Sequence, residues 1–151
     1  MCGGKKMILF WFLAGLGVIF SIALYVLYGF SHMKALKMMG YQNAWAAWIP
    51  FYKSYALADC IPETKGEVKM ASLSIPGDLF KFWWILSFLV GFIPGIGTLA
   101  SIAINIFCGG FCYTSIYSIL ERKPKNEVET IGYLSGWLNI IASFKFLAYE
   151  K

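Results

Sequence analysis

Two cysteines are the residues best placed to do chemistry. Cys108 and Cys112 lie four positions apart, which puts both thiols on one face of a helix. Thiol–disulfide enzymes place two residues between their cysteines at a helix start, where the thiol pKa is lowered. This pair lies inside an uncharged run instead, where a thiol is unreactive. We therefore predict buried packing cysteines, with a membrane thiol oxidoreductase as an alternative hypothesis.

One histidine and one serine are the remaining candidates for catalysis. His32 follows the first apolar run and stands near Lys34, which is typical of a contact with lipid headgroups or with a helix dipole. Ser135 lies between Gly132 and Gly136, but no histidine lies in another apolar run to activate it. A Ser–Lys pair stays open. We predict a protein that is not an enzyme and has no catalytic, cofactor-binding or metal-binding residue.

The composition indicates which solvent surrounds the fold. Hydrophobic residues make up 59% of the chain and charged residues only 14%, whereas a soluble domain has about 25% charged residues. The predicted partner is therefore a lipid bilayer. The net charge is +5, and its Lys and Arg flank the apolar runs, which favours anionic headgroups over nucleic acid.

Three apolar runs predict membrane-spanning helices, because lipid cannot satisfy unpaired backbone groups. The first run is long enough to cross a hydrocarbon core of roughly 30 Å. The second is too long for one crossing and must turn at residues 91–97. The third contains Lys145, which must extend to the surface. The predicted fold is an all-α, polytopic single domain (1–151) with about four transmembrane helices, at residues 7–30, 78–92, 98–121 and 130–149.

The N-terminal end resembles a signal peptide, since a short basic stretch precedes an apolar run. Small residues that could mark a cleavage site lie near Ala23. The apolar run continues to Phe30, which is long enough to act as an anchor. We therefore expect residues 1–23 to be retained.

Residues 44–59 are predicted to form an amphipathic helix at the membrane interface. Their aromatic residues repeat at three-and-four spacing, and Pro50 should kink or restart the helix. Aromatic rings with a polar atom favour headgroup depth. Packing of the same stripe in the protein core is the alternative. The proposed signature residues are Trp45, Trp48, Ile49, Pro50, Tyr52 and Tyr55.

This segment resembles the signature of an uncharacterised family of small bacterial multi-span membrane proteins. Residues 40–55 contain its Trp…Ile-Pro-x-Tyr-x-x-Tyr pattern, and Trp83-Trp84 and Ile93-Pro94 are similar to a second part of it. Lys53 stands where the family has Asn. The resemblance implies a bacterial membrane protein and implies no established activity.

Small residues at spacing four predict close helix packing in lipid. The candidates are Gly91, Gly95, Gly97, Ser101 and Gly110. Asn105, in the same run, could join two helices through hydrogen bonds or line a polar pathway with Ser101 and Thr114. The leading hypothesis is a non-enzymatic membrane protein that acts by helix packing, as an accessory subunit or a homo-oligomer. An oligomeric pore or small transporter is the other alternative.

The charges near the spans predict the topology. With four spans, residues 31–81 and 121–129 share one side and carry most of the Lys and Arg. Basic loops stay in the cytoplasm. We therefore predict that these two loops are cytoplasmic and that both termini lie outside the cell membrane.

Overall fold

The computed structural model describes residues 2–70 and 72–150, with side chains from residue 6 onward. It is mostly helical, with 78% of the residues in helices. The elements in chain order are α1 (Cys2–Met38), a 3-10 helix (Ala44–Trp48), α2 (Pro50–Asp59), a 3-10 helix (Pro62–Lys65), β1 (Glu67–Met70), β2 (Leu73–Pro76), α3 (Gly77–Phe80), α4 (Trp83–Gly91), α5 (Gly97–Ile104), a π-helical turn (Asn105–Gly109), α6 (Gly110–Glu121), α7 (Lys125–Trp137) and α8 (Asn139–Ala148).

The first helix has two parts with different surroundings. Every side chain from residue 6 to 23 is exposed, whereas Ser31, His32, Ala35 and Leu36 are fully buried. The helix continues past the predicted span end at Phe30 to Met38, and its last two turns pack into the body of the protein. Gly40, at φ 75°, ends the helix, and the amide of Tyr41 donates to the carbonyl of Leu36 at 2.9 Å.

The segment after α1 is not the single amphipathic helix that we predicted. Ile49 is extended, so the chain forms a 3-10 helix, a break and then α2, in which Pro50 takes the first position. The fold is mostly helical, as predicted, but it also contains an antiparallel hairpin of β1 and β2 that was not predicted and that pairs Val68 with Ile75. Val68 is fully buried, which gives this charged segment an inward-facing side.

Two helices joined by a turn form a second hairpin, as the predicted turn at residues 91–97 requires, but its first helix is shorter than the predicted span at 78–92. Lys81 and Phe82 interrupt the helix, so α4 has only 9 residues and is about 13 Å long, too short to cross a bilayer. The chain then turns, with Gly95 at φ 86°, and returns as α5. The Oγ atoms of Ser87 and Ser101 lie 2.9 Å apart and join the two helices.

The chain also reverses between α7 and α8, so the predicted helix at 130–149 is wrong. Leu138 is extended between the two helices. Tyr113 near the start of α6 contacts Asn139 at the start of α8, and Glu121 at the end of α6 accepts a hydrogen bond from Tyr149 at 2.6 Å. Because α8 therefore runs parallel to α6, residues 121–129 and the end of α8 lie at the same end of the molecule. The predicted separation of this loop and the C-terminus by a membrane is wrong.

Within residues 2–70 and 72–150, two helices are long and apolar enough to cross a membrane. They are Lys6–Met38 and Gly97–Glu121, the second of which combines α5, the π-helical turn and α6. In the most apolar stretch of the first helix none of the residues is buried, whereas 39% of the residues in the most apolar stretch of the second helix are buried. The core packs where α6, α7, α8 and the end of α1 meet, around Ile116, Tyr117 and Phe146.

Candidate functional site

A small polar cavity lies where three irregular pieces of backbone meet. Its volume is about 100 Å³, and it is bounded by the start of α2, the π-helical turn and the reversal between α7 and α8. π-helical turns and broken helices are frequent at functional sites. The polar side chains that line the cavity are Lys53, Ser54, Trp83, Asn105, Tyr113 and Asn139.

Glycines bring the walls of the cavity together. A Cβ on Gly136 would lie 2.8 Å from the Cα of Gly110 and 2.9 Å from the carbonyl oxygen of Ile106. Gly132 lies equally close to Thr114. The sequence interpretation missed the packing role of Gly132 and Gly136. Their spacing of four was the available signal, but we considered them only as neighbours of Ser135.

Lys53 is the charged side chain of the cavity. Its Nζ lies 5.6 Å from the centre of the Tyr28 ring on α1. Among the residues that the structure describes, no carboxylate forms an ion pair with it. Burial disfavours the charged form and lowers the pKa of Lys53 to about 8.

A chain of polar side chains runs from the cavity into the core. Tyr113 lies 2.9 Å from Nε2 of His32 and 2.6 Å from Oδ1 of Asn139. Nδ1 of His32 lies 2.9 Å from the carbonyl oxygen of Tyr28, which can only accept, so Nδ1 carries the proton in the neutral ring. Nε2 of His32 and Oδ1 of Asn139 then both act as acceptors. Because the Tyr113 hydroxyl has one proton, it donates to only one of them at a time. His32 is fully buried, so the predicted contact with lipid headgroups is wrong.

Trp83 closes the side of the cavity near Gly109. A Cβ added to Gly109 would lie 3.5 Å from the indole ring. Its Nε1 is buried and has no hydrogen-bond partner within residues 6–70 and 72–150. Asn105 differs, because its Nδ2 donates to Ser87 Oγ at 2.7 Å and to the Ser101 carbonyl at 2.8 Å. These bonds tie α4 to α5, which corresponds to the first of the two roles predicted for Asn105.

The other predicted packing residues lie in different surroundings. Gly91 has ordinary contact distance to Ser101, and the space around Gly95 is open. Gly97 lies against the backbone of α4, and Gly110 lies against Tyr133. Thr114, predicted to line a pathway, packs against α7 instead.

The aromatic signature divides into two groups. Trp45, Tyr52 and Tyr55 follow one another, with neighbouring ring centres 5.8 Å apart. Trp48 does not join them, because it packs on Gly29 and Tyr25 of α1. The prediction of a single four-residue stripe is therefore wrong. Ile49 and Pro50 form the break between the groups.

Cys108 and Cys112 are both free thiols. Cys112 is 2% exposed and borders the cavity, and Cys108 is partly buried. The cavity brings a lysine, a thiol, a phenol and two amides together, which is a set of groups suited to binding a polar ligand.

A comparison of the chain with known protein families, with curated proteins and with solved structures found no match. The resemblance to the bacterial membrane family therefore stays a prediction.

Proposed function

We propose that the chain is a non-enzymatic, membrane-anchored accessory protein whose first helix both crosses the bilayer and docks a membrane partner. The observation that carries this proposal is the first part of α1. Its side chains from residue 6 to 23 are exposed and uncharged after Lys6, while residues 31–36 near the end of the helix pack into the body. A helix of this kind needs lipid or another helix around it.

The distribution of exposed apolar side chains supports one crossing by α1. All exposed large apolar residues of this helix lie between Met7 and Phe30. The distance from Lys6 to Tyr28 along the helix is about 33 Å, which matches a hydrocarbon core of roughly 30 Å. His32, just beyond, meets Tyr113 of α6, so the body begins where the bilayer ends.

The α4–α5 hairpin enters the same bilayer without crossing it. Its exposed side chains are apolar around the turn, including Phe92, Ile93, Ile96 and Leu99. The turn lies at the opposite end of the molecule from Glu121. Because α1 runs parallel to α6 and α8, the start of α1 lies at that same end as the turn. The hairpin is too short for a full crossing, so it dips part-way and helps to seat the body on the membrane.

The charge distribution supports a cytoplasmic location for the body. Only Lys5 and Lys6 precede the crossing helix, and the other 11 of the 13 Lys and Arg residues follow it. Basic segments stay on the cytoplasmic side. This arrangement keeps the N-terminus outside and brings the C-terminus inside.

The exposed part of α1, residues 6–23, is also suited to packing against another helix. Ala14, Gly17 and Ser21 repeat at three-and-four spacing, and a Cβ on Gly17 would meet nothing within 4 Å. Small residues at this spacing allow another helix to approach closely in lipid. A second copy of the chain or a different membrane protein would use this face.

Cross-linking along α1 tests the proposal. Single cysteines are placed at each position from 13 to 22 of the full chain, with the four natural cysteines replaced, and the membranes are oxidised. We expect disulfide-linked dimers at Ala14, Gly17 and Ser21 and none on the opposite face if the partner is a second copy.

A photo-reactive group at the same positions tests for a different partner. We expect a discrete protein adduct at Gly17 and none at Val18, which lies on another face of α1. Neither dimers nor a discrete adduct at any of these positions would contradict the docking role.

A further inference from the structure

We infer that the polar cavity is a binding site for one small oxyanion group, a phosphate or a carboxylate, held between the Lys53 ammonium and the indole N–H of Trp83. This inference goes beyond the anchoring role of α1, because the residues concerned belong to α2, α4 and the reversal between α7 and α8.

The charge of Lys53 is the first reason. The side chain is partly buried, and the structure gives its ammonium only a ring face as a partner among the described residues. A buried charge is costly unless it is paired and hydrogen-bonded. The acidic residues nearest in the sequence are used elsewhere, since Asp59 pairs with Lys81. An anion in the cavity would supply the missing partner.

The second reason is the indole of Trp83. Its N–H is a donor that cannot accept, and it is buried without an acceptor in the described part of the chain. Such a group requires an explanation in a native structure, and an unobserved ligand is one. Ser54 and the amide of Asn139 add further donors to the lining. The lining therefore offers one cation and several donors, which is the pattern that an oxyanion requires.

The size of the cavity limits the ligand. A volume of about 100 Å³ accommodates one phosphate or carboxylate group, so only that part of a larger ligand enters the cavity. Lys53 also borders a second cavity of about 80 Å³, which Tyr25 and Tyr28 of α1 line. Those residues lie where α1 leaves the proposed bilayer, so the oxyanion could belong to a lipid headgroup or to a free anion.

The experiment uses the full-length protein, labelled with ¹⁵N in its tryptophan indoles, in maltoside micelles and phosphate-free buffer at pH 7. The Trp83→Phe variant assigns the indole resonance of Trp83. Inorganic phosphate, acetate and dihexanoyl phosphatidylglycerol are added in separate titrations. We expect a saturable shift of the Trp83 indole N–H.

The probe that produces the shift identifies the source of the anion. Saturation by phosphate or acetate indicates a free anion, and saturation by the lipid alone indicates a headgroup. Both outcomes support the site. The absence of a saturable shift with all three probes would overturn it.

Variants test the two named groups. Lys53→Met should weaken binding by a factor of ten or more, because a charge-assisted hydrogen bond is lost. Lys65→Met, which removes an exposed lysine, is the matched control and should bind as the original protein does. Equal affinity of Lys53→Met and Lys65→Met would refute the inference.

Calorimetry with the probe that binds provides a measurement that does not depend on the Trp83 indole resonance. The Trp83→Phe variant keeps the ring and loses the N–H, so we expect binding about three- to tenfold weaker. Unchanged affinity in this variant would exclude the indole from the site, and the inference would then fail.

Discussion

Replacing Gly136 by alanine tests a close backbone contact between α6 and α7. The new Cβ would lie 2.5 Å from the amide nitrogen of Gly110, 2.8 Å from its Cα and 2.9 Å from the Ile106 carbonyl oxygen. All three atoms belong to backbone, so they cannot be moved by a change of rotamer. Overpacking costs about 1–3 kcal/mol, and we take the upper end because backbone has to shift. Alanine has a higher helix propensity than glycine, which stabilises the helix by about 1 kcal/mol. The net loss in the free energy of unfolding is therefore about 2 kcal/mol.

Gly91→Ala is the matched control. Its Cβ would meet no atom closer than the Ser101 Oγ at 3.8 Å, so the substitution should be neutral or slightly stabilising. For a chain of this size 1 kcal/mol corresponds to about 2–4 °C in Tm. We therefore expect Gly136→Ala to lower the Tm in detergent by about 4–8 °C and Gly91→Ala not to lower it. Equal Tm values for the two variants would show that α6 and α7 do not approach as closely as described.

Three further predictions concern the cysteines, Lys53 and the tryptophans. Replacing both Cys108 and Cys112 by Ala should leave membrane insertion intact and cost about 1–2 kcal/mol, measured as Tm; loss of cellular activity in an inserted single variant would favour the thiol oxidoreductase. The folded protein releases the Lys53 proton near pH 8 while the unfolded chain keeps it to about pH 10.4, so stability should rise between these values by no more than about 3 kcal/mol. Lys53→Met should remove this rise in Tm measured in anion-free buffer, and an identical pH profile would contradict the assignment. Bromolipids should quench Trp45, which is 55% exposed, most strongly at shallow depth, and should quench Trp48 weakly in single-tryptophan variants. Maximal quenching of Trp45 at the bilayer centre, or equal quenching of both, would contradict the interfacial placement.

The long helices could be anticipated because their signals are local. An uncharged run forces a helix in lipid, and this reasoning located α1 and the segment that becomes α5 and α6. The turn between α4 and α5 was signalled by Pro94 and its neighbouring glycines. These features depend on residues that are adjacent in the sequence, so a single sequence contains them.

The reversal at Leu138 has no such local signal. Leu138 is neither glycine nor proline, and an uncharged run continues through it. What stabilises the reversal is distant in the chain, since Lys145 pairs with Glu121 at 2.5 Å and Tyr149 donates to the same carboxylate. The extension of α1 has a similar cause, because Lys34 donates to the Leu147 carbonyl at 2.9 Å.

The cavity was not predictable for the same reason. Its polar residues come from α2, α4, the π-helical turn, α6 and the start of α8. Lys53 was noted only as a departure from a family pattern, and Asn105 only as an amide within an apolar run. Their meeting depends on helix packing that spacing alone does not reveal.

The side of the membrane on which each segment lies is the most direct test of the account. Single cysteines are placed at Gly4, Asn126 and Glu150 in a background without the natural cysteines, and intact cells are treated with a membrane-impermeant thiol reagent. We predict labelling of Gly4→Cys on intact cells, and labelling of Asn126→Cys and Glu150→Cys only after permeabilisation. Labelling of Gly4→Cys from the same side as Asn126→Cys would contradict the crossing by α1. Labelling of Asn126→Cys and Glu150→Cys from opposite sides would show a second crossing and would contradict the account as well.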